Sequence, residues 1–290
     1  MRKFLYKIVT KLYFLFPERL YLIISYYLLM GKPLHLKDPK TMNEKLQWLK
    51  LYNRKPEYTQ MVDKVLVKDY VAKLIGEKYI IPTLGVWNHF DEIDFDQLPD
   101  QFVLKTNHSG GSTGVVICKD KKTFNKEAAK KKLEKSLKHD ISRILVEWPY
   151  RNIERKIMAE TYLGDGPTDY KFYCFDGDAD VVLICLERNL GRPKFYFFDK
   201  EWKLRRLNKR GKEAPEGFTV PKPEGMDEMF QIAACLSKGI PYARVDLYNI
   251  DGVIYFGEIT LFPASGFDPN RLPEADLYFG EKIVLPQVTK

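Results

Sequence analysis

The chain has 290 residues, 45% apolar and 30% charged, a composition that fits a globular protein with a sizeable core rather than a disordered or fibrous one. Its formal charge of +8 points to anionic partners such as nucleotides, acidic sugars or lipid headgroups, while no zinc-finger spacing or RNA-binding signature supports nucleic acid. Cys118, Cys174, Cys185 and Cys235 form no CxxC pair and three of them lie in apolar runs, so reduced core cysteines and a cytoplasmic location are expected.

The N-terminal stretch interleaves Arg2, Lys3, Lys7 and Lys11 with Phe4, Leu5, Ile8, Val9 and Leu12. A second apolar run, Leu20 to Met30, is too short to span a bilayer, and no small-residue cleavage site follows it. Residues 1–30 therefore read either as a basic amphipathic segment lying on the inner face of an anionic membrane, or as helix packed on the protein's own core. Thr41 followed by Glu44 fits a capping box and starts a helix running through Trp48 and Leu51. Asp63 to Ile75 reads as the next helix, closed by Gly76. Tyr79 to Trp87 then suggests a strand, a turn and a short strand.

Gln101 to Lys105 is a brief buried strand, and the polar loop from Thr106 to Gly114 leads into a second strand at Val115–Ile117. The lysine-rich run from Asn125 to Lys138 reads as a solvated helix. From Lys156 onward strands dominate: Ile157–Leu163, Asp169–Phe175 and Val181–Leu186, with Asp176-Gly177 as a reversal. Met226 to Ser237 is a helix. Helices mixed with antiparallel strands give an α+β fold.

Two strands follow that helix, carrying Arg244 and Asp246 on one and Glu258 and Thr260 on the other. Side chains alternate along a strand, so each of these pairs shares a face. An odd-length connection places Asp246 opposite Glu258, whereas a two-residue Asp251-Gly252 turn places the carboxylates on opposite faces. Two acids held close on a sheet need positive charge between them, and Mg²⁺ is one solution, because it accepts one or two carboxylates beside phosphate oxygens and water. Lys105 ahead of Ser109, Gly110, Gly111, Ser112 and Gly114 is a second handle for phosphate: glycines admit close backbone approach, and loop N–H groups with a lysine cradle negative charge. It is not a P-loop, since the lysine precedes the glycines.

Together these parts resemble the ATP-grasp superfamily, and more closely its TupA-like branch, typified by teichuronopeptide biosynthesis and found among bacterial capsule and surface-polysaccharide genes. The residues that carry the resemblance are Asp63-Lys64, Phe102–Lys105 with its loop, Ala159–Leu163, the 244–260 hairpin, Glu147–Tyr150, Asp169–Phe175 and Phe256–Phe267. It implies a helical region over 1–60, the first subdomains with the glycine loop over 61–163, and a C-terminal subdomain with the metal-binding hairpin over 164–290. ATP would lie between the subdomains, with Lys64 and Lys105 on its phosphates, Ser109–Gly114 closing over them, and backbone around Glu160, Thr161 and Leu163 at the adenine edge. Asp246, Glu258 and Thr260 would hold one or two Mg²⁺, with Thr260 standing where the family has asparagine, and Arg244 would meet the transferred phosphate or the acyl intermediate. Lys171 beside Asp169 either faces the nucleotide, the favoured reading, or forms a surface pair, and Lys68 either helps Lys64 or, by default, lies on the helix surface. His108 either contacts phosphate or is a plain loop residue; Asp165 or Asp169 is a candidate for the ribose, and Ser265-Gly266 for backbone donors near an acyl group.

The activity the resemblance implies is ADP-forming carboxylate–amine ligation through an acyl phosphate, joining an amine donor to a carboxylate-bearing glycan or lipid-linked precursor. The rivals are a glycosyltransferase using Asp176-Gly-Asp178, a kinase acting on a sugar hydroxyl at the same ATP site, and a membrane-peripheral scaffold that keeps a degenerate nucleotide fold.

Overall fold

The computed structural model describes residues 1–187 and 193–287. Five helices come first: α1 (Arg2–Lys11), α2 (Glu18–Met30), α3 (Met42–Tyr52), α4 (Glu57–Val62) and α5 (Leu66–Ile75). The expected capping box is present, since the Glu44 N–H donates to the Thr41 hydroxyl while the Glu44 carboxylate accepts from the Thr41 N–H. The helix expected from Asp63 starts three residues later. Asp63 Oδ1 takes the N–H groups of Val65 and Leu66, which turns the chain sharply and makes Asp63 a cap rather than a helical residue.

The chain then runs through β1 (Thr83–Trp87), β2 (Phe102–Thr106), β3 (Val115–Cys118), α6 (Lys126–Leu137), α7 (Ile141–Ile144) and β4 (Ile157–Thr161). These strands form an antiparallel sheet in the order β1-β4-β2-β3. Alternation sorts its faces. Phe102, Leu104, Ile157 and Ala159 pack beneath α6 with Leu133, Phe90 and Phe95. Lys105 on β2 and Glu160 on β4 are left on the opposite face, turned toward the rest of the molecule.

A second antiparallel sheet is built from β5 (Asp169–Phe175), β6 (Asp178–Leu186), β7 (Lys194–Asp199) and β8 (Leu204–Arg205). The short α8 (Lys209–Glu213) and then α9 (Met226–Ser237) lead to β9 (Ala243–Ile250), β10 (Val253–Thr260) and the closing helix α10 (Pro273–Lys282). The strand order is β10-β9-β5-β6-β7-β8. Phe172, Val245 and Ile259 form a row on one face, and Phe172 meets Phe230 of α9 edge-on at 4.9 Å. On the other face, Phe279 of α10 stacks on Tyr173 and Phe175, which leaves the end bearing Asp246 and Glu258 open toward the first sheet. Helices α3, α4 and α5, which flank the boundary drawn at residue 60, bury Met42, Leu46, Tyr58, Met61 and Val71 in this same large core. Cys118, Cys174 and Cys185 are buried free thiols, as expected, and Cys235 is exposed.

Candidate active site

The hairpin that carries the acids solves its register in a way the alternation rule alone does not supply. Its turn is the two-residue Asp251-Gly252, both at positive φ (52° and 84°), the geometry preferred between twisted strands. With that turn and a regular ladder, Asp246 would face Gly257, and Glu258 would lie on the apolar face opposite Val245. A β-bulge between Phe256 and Glu258 absorbs one residue, so Glu258 pairs with Asp246, Ile259 with Val245 and Thr260 with Arg244. The extra residue is Gly257, where a Cβ would lie 3.0 Å from the Asp246 carbonyl and 3.1 Å from the Tyr248 ring. Both sequence readings are thus half right: the turn has two residues, and the carboxylates nevertheless face each other.

Across β5, β9 and β10 the result is one row of Lys171, Asp246 and Glu258, and beside it a row of Tyr173, Arg244 and Thr260. Arg244 sits between the acids. It donates to Asp246 Oδ1 at 2.6 Å and Oδ2 at 2.7 Å, to Glu258 Oε1 at 2.9 Å and to the Thr260 hydroxyl at 3.1 Å. The Thr260 hydroxyl in turn donates to Glu258 Oε1 at 3.0 Å. Lys171 bridges Asp246 and, at 2.6 Å, Asp169, so it is a buried linker of two acids rather than a surface pair. Burial opposes ionisation of Glu258, yet Lys64, Arg244 and Lys171 outweigh it and hold its carboxyl at about 2. Burial dominates at Asp246 and pushes it up to about 6, against the pull of Arg244 and Lys171 and with Asp169 and Glu258 adding like charge.

The facing sheet contributes cations. Lys64, in the bend between α4 and α5, donates to the Ser109 carbonyl at 2.5 Å and lies 4.0 Å from Glu258 Oε2, so it ties the glycine loop to the acid hairpin. Lys105 is paired with the buried Glu160. Lys68, expected on the helix surface, instead turns inward and meets Glu160 at 2.7 Å, with bonds of 2.7 Å to the Ile81 carbonyl and the Thr83 hydroxyl. The reason is one missing partner in the sequence reading: a buried carboxylate opposite α5 pulls in the nearest ammonium. Burial works against ionisation of Glu160, and Lys105 and Lys68 reverse it, lowering its pKa. Lys64, Lys68, Lys105, Glu160, Phe256 and Gly257 enclose only about 10 Å³, far less than an adenine ring needs, so this cleft is closed by its own ion pairs. The Thr161 N–H donates to the Pro82 carbonyl, and Leu163 lies in the half-buried segment just beyond β4.

On the other side of Arg244 lies a cavity of about 310 Å³. Ser109, Gly110, Gly111 and Thr113 line it from the glycine loop, and Arg244, Glu258 and Thr260 from the hairpin. The loop tip from Gly110 to Thr113, Ser112 included, is exposed. Gly114 is buried at the loop's base, where a Cβ would come within 2.4 Å of the Ser109 and Ser136 hydroxyls. His108 is also buried and lines the cavity, its Nε2 donating to the Ser136 carbonyl at 3.2 Å; burial, with Arg155 and Lys64 nearby, pushes its pKa down to about 4.

The cavity floor holds Ser265-Gly266, the candidate backbone donors, with Gln47, Lys50 and Glu147, to which sequence reasoning assigned no role. Ala264, Ser265 and Gly266 are three successive left-handed residues (φ 48°, 51° and 66°). Such backbone persists only where its surroundings fix it. Gln47 donates to the Ser265 carbonyl at 3.0 Å and the Gly266 carbonyl at 2.8 Å, and the fully buried Lys50 donates to the Ser265 carbonyl at 2.8 Å. The Ser265 hydroxyl donates to Glu147, a buried carboxylate that also lines the cavity. Burial raises the Glu147 pKa although Lys50 and Ser265 oppose it. Asp176 and Asp178 lie at the far end of β5 from Lys171, with Asp176 accepting the Gly239 N–H and Asp178 paired with Lys200 and Lys282. That pair is a turn, not a nucleotide-sugar site. Asp165 is exposed and pairs with Lys119.

An all-oxygen set of two opposed carboxylates and a hydroxyl fits Mg²⁺, which completes its shell with phosphate and water. Asp246, Glu258 and Thr260 would hold it in place of Arg244 and Lys171, which engage these oxygens here; among the described residues no group of three or more His, Cys, Asp or Glu is arranged for a metal.

Two antiparallel layers that face each other across inward lysines, a glycine loop and an acid-bearing hairpin define the ATP-grasp class of fold. The chain matches the family model described as TupA-like ATPgrasp over residues 44–284, a span that includes every strand and every site residue above, and it belongs to that family. Solved structures similar to it include the D-alanine–D-alanine ligase from Bacillus anthracis (20% identity, TM-score 0.44, 77% of this chain and 67% of that one). Others are the D-alanine–D-alanine ligase from Helicobacter pylori (14%, 0.46, 84% and 67%) and an L-amino acid ligase from Bacillus licheniformis (15%, 0.43, 80% and 51%). No curated protein matches the sequence.

Proposed function

We propose that the protein is an ATP- and Mg²⁺-dependent carboxylate–amine ligase that works through an acyl phosphate and releases ADP. The observation that carries this reading is the placement of Arg244. It stands between the acid pair that would hold Mg²⁺ and an open cavity of about 310 Å³ roofed by the glycine loop. A carboxylate in that cavity would reach the phosphate end of a nucleotide admitted between the sheets once the pairs of Glu160 with Lys68 and Lys105 open.

The residues divide the work. Lys64 and Lys105 meet the phosphates, with Lys68 beside them, and the loop from Ser109 to Gly114 covers them with backbone N–H groups. Asp246, Glu258 and Thr260 would hold Mg²⁺, which would supply neutralisation of phosphate charge during transfer. Arg244 leaves its acid partners to follow the transferred phosphoryl group. A carboxylate oxygen of the acceptor attacks the γ-phosphorus as the bond to ADP breaks. The amine then attacks the acyl carbon, phosphate departs, and the nitrogen gives up a proton. Glu147, fixed by Ser265 on the cavity floor, is the carboxylate placed to take it. No protein nucleophile is needed: positioning and electrostatics carry phosphoryl transfer.

The acceptor we infer is a carboxylate-bearing glycan or lipid-linked precursor of a bacterial capsule or surface polysaccharide, handled on the cytoplasmic side. The positive charge of the chain suits acidic sugars. A test that needs no knowledge of the amine is hydroxylamine trapping. Incubation with ATP, Mg²⁺, hydroxylamine and a panel of uronic acids is expected to give a hydroxamate with equimolar ADP. A stable phosphoester in its place would assign the site to a kinase, and turnover of a nucleotide sugar to a glycosyltransferase.

A further inference from the structure

We propose that the α1–α2 hairpin is a membrane-docking face that lies in the headgroup region of an anionic bilayer. Helix α1 buries none of its residues, whereas α2 buries Tyr21, Leu22, Ser25 and Tyr26 against the body of the protein. One side of α1 is half-buried through Tyr6, Val9 and Thr10, with Val9 against the Tyr21–Tyr26 cluster, and the other side is left uncovered. Phe4, Phe14 and Leu15 are 68%, 67% and 63% exposed, and Leu20 and Tyr27 continue the apolar surface along α2. Single exposed apolar residues are ordinary, but a run of them along one helical hairpin marks an interaction surface.

Charge decides the partner. Residues 1–17 contain four basic side chains and no acidic one. Lys3, Lys7 and Lys11 recur at intervals of four, so they stripe one side of α1 beside Phe4, Ile8 and Leu12. The first acid, Glu18, is already taken by Arg54 and, at 2.5 Å, Arg151. A lysine stripe flanking an apolar strip fits an anionic lipid surface, where each lysine adds attraction to the buried apolar area. Among the described residues no helix is long and apolar enough to cross a membrane, which suits a helix lying in the interface.

The buried face of α2, opposite the docking face, rests on the cavity wall. Tyr21 donates to the Ile144 carbonyl at 2.8 Å, and the Leu145 carbonyl just after it accepts Lys50 at 2.7 Å. Ile141 and Leu145 of this segment line the cavity. Attachment through α1 and α2 would place α2 between the lipid surface and the segment that lines the cavity.

The test is co-sedimentation of the full chain with phosphatidylcholine vesicles, with and without phosphatidylglycerol. The variants are Lys3→Glu/Lys7→Glu and Phe4→Ser/Leu15→Ser, with melting temperature as the folding control. The expected result is binding to anionic vesicles only. Reversing both lysines is expected to reduce it at least about thirtyfold, and the apolar pair at least about tenfold, without a change in melting. Equal partitioning to neutral and anionic vesicles, or no binding to either, would overturn the proposal. So would a stable dimer in light scattering that the Phe4→Ser/Leu15→Ser variant dissociates, since the face would then belong to a second copy.

Discussion

Arg244 shows what one side chain can settle. Facing carboxylates demand a positive group between them, and the guanidinium supplies it through bonds to Asp246, Glu258 and Thr260 at once. The demand was legible in the sequence; that a residue of the same strand meets it was not, because the alternation rule gives faces but not side-chain reach. His108 makes a different point. A histidine in a polar loop reads as exposed, yet it is buried against the Ser136 carbonyl, and its imidazole is held down to about 4 from an ordinary 6.5. The unfolded chain then binds more protons between those values, so stability rises with pH across the window and falls on acidification from 6.5 toward 4. The full loss is about 3 kcal/mol. Chemical denaturation at both ends of that window is expected to show a smaller acid loss in His108→Gln, which keeps a donor but does not titrate. An identical loss in variant and wild type would mean that His108 is not the group responsible.

At the scale of the element, the β9–β10 hairpin holds the account together. Its strands and its polar face were readable from residue type and alternation, while the turn was left open between two lengths. The bulge was not, since nothing in a two-residue turn announces that a glycine six residues on will be left out of the ladder. Gly257 has the room it needs only without a Cβ. A valine there would press on the Asp246 carbonyl and the Tyr248 ring, push β10 away from β9 and separate Glu258 from Asp246. We expect Gly257→Val to cost about 1–3 kcal/mol in thermal or urea unfolding, and to weaken Mg²⁺-dependent nucleotide binding as well. Unchanged stability and binding would show that the bulge tolerates a side chain and does not set the register. Lys68 belongs at this scale too: its helix was expected, with a start three residues early, but its direction depended on Glu160, buried on a strand far away in sequence.

For the whole molecule, the site exists only because two sheets present complementary faces, the first carrying Lys105 and Glu160, the second Lys171, Asp246 and Glu258. Local patterns located the strands that carry the site, but not β7 or β8. They could not show that the nucleotide cleft is closed by the pairs of Glu160 with Lys68 and Lys105, nor that the 264–266 turn rests on Gln47 and Lys50 from α3. Those are long-range contacts without a short-range signature. Ligands that bind only the folded state raise its stability according to occupancy, so binding can be read without knowing the acceptor. The most direct measurement is calorimetric titration of ATP into the protein with and without Mg²⁺, on wild type and on Asp246→Asn. The account predicts Mg²⁺-dependent binding to wild type that the substitution weakens at least about tenfold, in keeping with the loss of a charged metal ligand. Binding that ignores both Mg²⁺ and the substitution would contradict it.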